Sequence, residues 1–473
     1  MKTTAKSKGT VQKQVSAKLL LLVLALSSLL AAITVDMVNP VLGLISQSLE
    51  ASKAQVSWTV SGIALVLAIG VPMYGRMSDF FELRKVFIIA AAILTLGSLL
   101  CALASSLPLL VLGRLVQGAG MSAIPVLSVV AISKVFAEGR RGAALGVVTG
   151  CIGIGTACGP IFGGSVGQIR GWPSLFWITF GLSLLVLIGS IFALPVISPS
   201  LEEGTKRSFD LVGGILLGLA AGLLLFGVTQ GESAGFASIS ACGSLLGALL
   251  SLLGFIWRIN RADKPFVPPV LFKNKPYVCS VIIAFFSMFA YFAVLVYVPL
   301  LVVEVNGLTP GEAGIILLPG GAAVAICSPW VGRISDRFGS NRLVAAGVVM
   351  MGISTLFLST FASGASPVLV SVGALGAGVA FALINSPINN AAVSALPKDQ
   401  VGAGMGIFQG TLYLGAGTGA GIIGALLHAR REAADPLNPL YSLAAVAYSD
   451  AFLAATAAVV IALIAALAKG DTR

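Results

Sequence analysis

Two charged side chains fall inside long apolar runs: Asp36, in Thr34-Val35-Asp36-Met37-Val38-Asn39-Pro40, and Arg114, in Leu112-Gly113-Arg114-Leu115-Val116-Gln117. A carboxylate at bilayer depth costs roughly 2.5–3.5 kcal/mol on insertion scales, so one that is kept there usually has a task. Desolvation favours its neutral form, which would let Asp36 exchange a proton near neutral pH or meet a cation. The plainer alternative is an ion pair that only fastens helices. At 1.5 Å per residue, Asp36 lies about 27 Å along a helix rising from Lys18, and Arg114 about 9 Å along one descending from Pro108. Both depths fall in the outer part of a bilayer, so the expected partner of Asp36 is Arg114.

Other residues suggest mechanics rather than chemistry. Gly155, Gly159 and Gly163 recur at i, i+4 and i+8, a smooth face for a neighbouring helix. Pro160 should bend that helix by removing a backbone hydrogen bond. Asp79 and Asp336 stand at the ends of apolar runs beside Arg76, Arg84 and Lys85, and beside Arg333, Arg337 and Arg342. They read as gating locks, able to bridge to neighbouring helix ends. Asp210 reads as a helix cap. Asn385, Ser386, Asn389, Asn390, Gln409, Tyr413, Tyr291 and Tyr297 could line a cavity or equally bond helices together. His428 reads as interfacial. The six cysteines form no CxxC pair and read as packing residues rather than a disulfide framework or metal site.

The elements that must position these groups follow from composition. Of 473 residues, 57% are hydrophobic and only 10% charged, too few charges to cover a water-facing surface. Apolar blocks long enough to cross a bilayer occur at 19–44, 55–75, 86–106, 108–132, 142–166, 173–195, 211–230, 237–257, 277–303, 313–333, 343–362, 367–393, 402–427 and 449–468. The first block outruns a secretory signal and reads as a retained helix. With the N-terminus inside, 24 of the 29 Lys and Arg residues fall in cytoplasmic segments. The outer loops hold Lys53, Arg170, Arg430 and Arg431. That bias predicts a multi-pass protein of the inner, cytoplasmic membrane with both termini in the cytoplasm. The net charge of +11 is spread over short loops, so the lipid bilayer, and not nucleic acid, is the expected partner.

Gly75-Arg76-Met77-Ser78-Asp79 and Gly332-Arg333-Ile334-Ser335-Asp336 repeat one pattern eight helices apart. Two six-helix halves, 1–200 and 277–473, are therefore expected, with two helices and their linkers, 201–276, inserted between. This plan, with the substrate held between halves, resembles the major facilitator superfamily, and specifically its fourteen-helix drug:proton antiporters. The resemblance rests on the repeated G-R-x-S-D, in which Gly339 keeps the family's second glycine while Glu82 replaces it in the first copy. It rests also on Arg114-Leu115-Val116-Gln117-Gly118, and on Gly159-Pro160-Ile161-Phe162-Gly163-Gly164, which looks like the antiporter element of helix five. It implies an all-α integral membrane fold, with Asp36, Arg114 and Gln117 in proton coupling or substrate contact. The helix-five element would help set the outward–inward equilibrium.

A closer similarity is to tetracycline exporters of the K and L classes. It rests on Asp36-Met37-Val38, Lys206-Arg207-Ser208-Phe209-Asp210, Asp263-Lys264-Pro265-Phe266-Val267 and Val401-Gly402-Ala403-Gly404-Met405. Such proteins exchange a divalent metal–tetracycline complex for protons, and some exchange monovalent cations. The metal would travel with the drug, and no cofactor beyond the proton gradient is implied. Where those exporters carry a glutamate, this chain has Ala416. The expected activity is proton-driven drug export, with a multidrug or cation antiporter, and then a proton-coupled importer, as alternatives. An enzyme is not expected: with one histidine and one buried acid there is no catalytic cluster. A monomer is compatible with this plan.

Overall fold

The computed structural model describes residues 17–56, 58–196 and 210–469. The expected boundary at 200/201 and the Lys206–Phe209 part of the tetracycline-exporter resemblance lie outside these residues. Among the described residues, fourteen helices are long and apolar enough to cross a membrane. Helices 1–6 are Ala17–Ser48, Trp58–Phe80, Leu83–Ala102, Leu107–Val135, Glu138–Arg170 and Pro173–Ala193. Helices 7 and 8 are Leu211–Glu232 and Ile239–Arg261. Helices 9–14 are Lys275–Glu304, Gly311–Phe338, Ser340–Ala362, Pro367–Ala395, Val401–Ala429 and Val446–Lys469. Most run several residues beyond the apolar blocks, because charged residues are tolerated in the last turns, where side chains reach the membrane surface. The G-R-x-S-D segments accordingly lie in the last turns of helices 2 and 10 rather than in loops.

Lipid supplies no hydrophobic force between helices, so association depends on close packing and hydrogen bonds. In the first half, helix 1 packs on helices 5 and 6, and helix 3 on helices 4 and 6. In the second half, helix 9 packs on helices 13 and 14, and helix 11 on helices 12 and 14. Two seams join the halves, helix 5 against helix 10 and helix 2 against helix 13. Both are closed by glycine. A Cβ on Gly332 would collide with the Gly142 carbonyl, and one on Gly75 with the Gly406 backbone.

Helices 7 and 8 lie, among the described residues, beside the second of these seams. Helix 7 packs on helices 2 and 13, and helix 8 on helix 7. Gly218 and Gly222 of helix 7 meet Ile69 and Leu65 of helix 2, while Gly417 and Gly421 of helix 13 meet Leu225 and Val228 of helix 7. Asp210 caps helix 7 by accepting from the Gly213 amide at 3.1 Å, as its position predicts. It also accepts from Arg258 Nε at 3.1 Å and from the Phe266 amide at 3.1 Å.

At the opposite face, the connection between helices 13 and 14 is clamped. Buried Asp450 accepts from Arg430 Nε and from the Leu437 amide, each at 2.7 Å. Asn438 Nδ2 donates to Ser359 and Thr360 at 2.9 Å, in the π-turn that ends helix 11. His428 is exposed at the end of helix 13.

Candidate functional site

Helix 1 breaks immediately after Asp36. The cause is Pro40: a helix bonds each N–H to the carbonyl four residues back, and proline has no N–H. The Asp36 carbonyl therefore loses its partner, and the chain passes through a short 3₁₀ segment, Asn39–Val41, before resuming as Leu42–Ser48. Helix 5 carries the same arithmetic. Pro160 removes the bond to the Thr156 carbonyl, although the helix continues through it from Glu138 to Arg170.

These two interruptions meet. Asp36 is half-buried, and its carboxylate lies in hydrogen-bonding reach of the Thr156 hydroxyl. Glycine makes the approach possible. A Cβ at Gly155 would press on Leu29 and Ala32, one at Gly159 would stand 2.9 Å from the Asp36 Cβ, and one at Gly163 would overlap the Met37 carbonyl. The i, i+4, i+8 face is thus the bed on which the broken part of helix 1 rests. Gly164 points elsewhere, its nearest neighbour for a Cβ being Pro40 at 3.6 Å. From the other half, Tyr291 of helix 9 interacts electrostatically with Asp36. Tyr291 stacks flat on Phe381 of helix 12, with ring centroids 4.1 Å apart and planes 9° from parallel.

Arg114 is not the partner of Asp36. Its Nε donates to the Thr59 carbonyl at 2.8 Å, and its Nη1 to the Thr34 carbonyl at 3.1 Å and to Gln117 Oε1 at 2.8 Å. Gln117 in turn donates to Ser98 at 2.9 Å. The guanidinium lies over the Phe176 ring at 5.8 Å, and Arg114 as a whole is 1% exposed. Depth along the two helices matched, but direction around them did not: Arg114 meets helix 1 at its backbone, while the Asp36 side chain turns to helix 5. Arg114 and Gln117 form a buried node tying helices 1, 2, 3 and 4.

The polar residues of helices 12 and 13 join into a chain. Thr149 of helix 5 bonds to Asn385 Oδ1 at 3.3 Å; Asn389 Nδ2 donates to the same oxygen at 3.2 Å; Gln409 Nε2 donates to Asn389 Oδ1 at 2.9 Å. Ser386 donates to the Gly142 carbonyl at 3.0 Å, crossing the same seam. Tyr413 is half-buried on helix 13, and Asn390 is buried beside Asn389. Tyr297 donates to the Ala420 carbonyl, a tie between helices 9 and 13.

At the face where helix 1 begins and helix 14 ends, each repeated aspartate crosses to the other half. Asp79 accepts from the Gly402 and Ala403 amides of helix 13 at 2.9 and 2.8 Å. Asp336 accepts from the Gly142 and Ala143 amides of helix 5 at 2.8 and 2.9 Å. Gly402 and Ala403 lie in the first turn of helix 13, where amides are unpaired and carry partial positive charge, which suits a carboxylate, whereas Gly142 and Ala143 are the fifth and sixth residues of helix 5. The surroundings differ. Asp79 is fully buried, 3.5 Å from Arg76, whose other nitrogen donates to the Pro265 carbonyl at 3.1 Å. Asp336 is half-buried, and Arg333 instead lies over the Trp330 ring at 5.5 Å. Arg84 donates to the Ile191 carbonyl, Lys85 pairs with Glu82 at 3.0 Å, and Arg337 is exposed. The departure at Glu82 also has a reason. Gly339 takes φ +85°, which favours glycine, whereas Glu82 takes φ −58°, open to any residue.

Thr149, Thr156 and Phe381 were not singled out in the sequence. A signal for Thr156 was present: Asp36 and Thr156 each precede a proline by four residues.

The model of the Major Facilitator Superfamily matches residues 24–420. The chain belongs to the Major Facilitator Superfamily. It is 31% identical over 414 residues to the multidrug resistance protein Stp of Mycobacterium tuberculosis, covering 85% of this chain and 76% of that one. It is 27% identical over 409 residues to the tetracenomycin C resistance and export protein of Streptomyces glaucescens, covering 86% and 74%. It is 28% identical over 431 residues to the methylenomycin A resistance protein of Bacillus subtilis, covering 89% and 91%. The human organic anion transporter MFSD10 (TETRAN) shares the fold, with a TM-score of 0.68 at 14% identity, covering 95% of this chain and 99% of that one. As a member of this superfamily, the chain is a membrane transporter of small molecules.

Proposed function

We propose that this transporter is a proton-coupled antiporter that exports an amphipathic drug from the cytoplasm, with Asp36 holding a proton and the drug's positive charge in turn. The observation that carries this reading is the half-buried carboxylate at the break of helix 1, turned to Thr156 and facing Tyr291 of the other half. A carboxylate so placed can be reached as the halves rock, and its two protonation states differ in their affinity for a cation. The drug-resistance and export names of the relatives support the direction of transport. The basic loops support a cytoplasmic placement of the face where helix 1 begins and helix 14 ends, and on that reading the aspartate latches hold the inner gate shut in this conformation.

Metal–tetracycline is the cargo to test first, because of the segments that resemble those of the tetracycline exporters. Ala416 stands in place of their glutamate, and Asp36 is the residue assigned to the cargo's charge.

The test uses inside-out vesicles containing the full chain under an inward-acid pH gradient. Metal–tetracycline, a cationic dye, sodium or potassium is added in turn, with Asp36→Asn as control. Collapse of the gradient by metal–tetracycline alone, lost in the variant, identifies a tetracycline exporter. Collapse by dyes identifies a multidrug antiporter, and collapse by sodium or potassium a cation antiporter. A gradient that none of them disturbs, with no substrate uptake, refutes proton-coupled export.

A further inference from the structure

We propose that Thr149, Asn385, Asn389 and Gln409 form a second recognition point, which takes a hydrogen-bonding end of the substrate while Asp36 takes its cationic end. This inference rests on the assignment of Asp36 above and adds the substrate's far end. The chain of bonds Thr149–Asn385–Asn389–Gln409 begins on helix 5, in the first half, and ends on helix 13, in the second. It therefore lies across the region between the halves, where a carrier of this superfamily holds its cargo.

Its bonding is incomplete. Each amide offers two donor hydrogens and an acceptor oxygen. Among the described residues, Asn385 Nδ2 and Gln409 Oε1 have no hydrogen-bond partner. A device that only fastened helices 12 and 13 would gain by using both. The chain instead leaves a donor free at Asn385 and an acceptor free at Gln409.

The spacing defines the ligand. Thr149 and Thr156 are seven residues apart on one continuous helix, so the amide chain lies about 10 Å below the Asp36 level along helix 5. A buried aromatic pair links the two points. Phe381 is one helical turn from Asn385 on helix 12, and its stacked partner Tyr291 interacts with Asp36. The substrate class that fits carries a positive charge, a planar apolar body, and a polar group with both donor and acceptor about 10 Å from the charge. Simple lipophilic cations satisfy the first two points only.

The experiment compares two probes on the purified full chain in detergent by isothermal titration calorimetry. Doxorubicin has an amine, a planar ring system and distant hydroxyl and carbonyl groups. Tetraphenylphosphonium is a cation with aromatic rings and no hydrogen-bonding group. The variants are Thr149→Val, Gln409→Leu and Gln409→Glu, the last retaining an acceptor there. We expect Thr149→Val and Gln409→Leu to raise the doxorubicin Kd five- to tenfold and to leave that of tetraphenylphosphonium within twofold. Gln409→Glu should recover most of the doxorubicin affinity. Equal loss for both probes, or no change for either, would overturn the second recognition point, as would wild-type protein that does not bind doxorubicin saturably. Asp36→Asn tests the underlying assignment separately and should weaken both probes; if it weakens neither, that assignment fails whatever the amide variants do.

Discussion

Asp36 and Thr156 face each other where two helices have each lost a backbone bond to a proline four residues further on. Pro40 frees the carbonyl of Asp36, and Pro160 frees that of Thr156. Side chains and loosened backbone are thus concentrated at one point between helix 1 and helix 5, held there by glycine. A bend at either proline moves the carboxylate relative to its hydroxyl partner.

The glycine bed is selective, and its selectivity can be measured. Gly163→Ala would drive a methyl group into the Met37 carbonyl, while Gly164→Ala meets only Pro40 at an ordinary 3.6 Å. Overpacking of this kind costs about 1–3 kcal/mol. Gly163→Ala should lower the thermal unfolding midpoint of the purified protein and reduce transport. Gly164→Ala should match the wild type in both, and similar losses in the two variants would contradict the packing described.

The two aspartate latches should hold the same face with unequal strength. Each makes two bonds from a carboxylate to backbone amides of the other half, and bonds to charged groups contribute about 1.5–3 kcal/mol each. Asp79→Asn and Asp336→Asn should both shift the protein toward opening at that face. Spin labels at exposed Arg140 and Arg337 can report this as a longer distance population by pulsed electron resonance. The Asp79 variant should shift more, since Asp79 is fully buried and paired with Arg76. An unchanged distance distribution in both would remove the latches from the gating account.

Arg114 and Asp36 should behave as independent residues. Arg114 bonds carbonyls of helices 1 and 2 together with Gln117. A double-mutant cycle of Asp36→Asn and Arg114→Gln, read by thermal stability, should give a coupling below about 1 kcal/mol, against 3–5 kcal/mol for breaking a buried ion pair. Arg114→Gln alone should be strongly destabilising, because two carbonyls lose their donor. A coupling of several kcal/mol would restore the ion pair.

Asp450 offers a stability prediction remote from transport. It is fully buried and joins Arg430 to the Leu437 amide. Arg430 is partly exposed, so solvent screening tempers the loss. Asp450→Ala should cost about 1–3 kcal/mol of stability, with drug affinity unchanged within twofold. A wild-type unfolding midpoint would show that the clamp contributes nothing.

The number of helices was legible because lipid imposes a length and an apolar composition on every span, and charge punctuates them. The level of Asp36 relative to Arg114 was legible by counting 1.5 Å steps, since Arg114 reaches the Thr34 carbonyl two residues away. Direction around the helix was not, and that is where the Asp36–Arg114 pairing failed. The repeated G-R-x-S-D announced that Asp79 and Asp336 are equivalent, but not that each reaches the opposite half. Internal repetition reports likeness, whereas contact depends on how the halves are docked. Thr149 and Thr156 escaped notice because hydroxyls are unremarkable in membrane helices until a partner is seen across the seam.

Helix 7 lies along the seam between helices 2 and 13, whereas the seam between helices 5 and 10 has no such companion among the described residues. The pseudo-symmetry of the two halves is therefore broken as seen from the bilayer. A molecule dissolved in the lipid meets a sheathed wall on one side of the carrier and a bare joint on the other, so the protein has a front and a back.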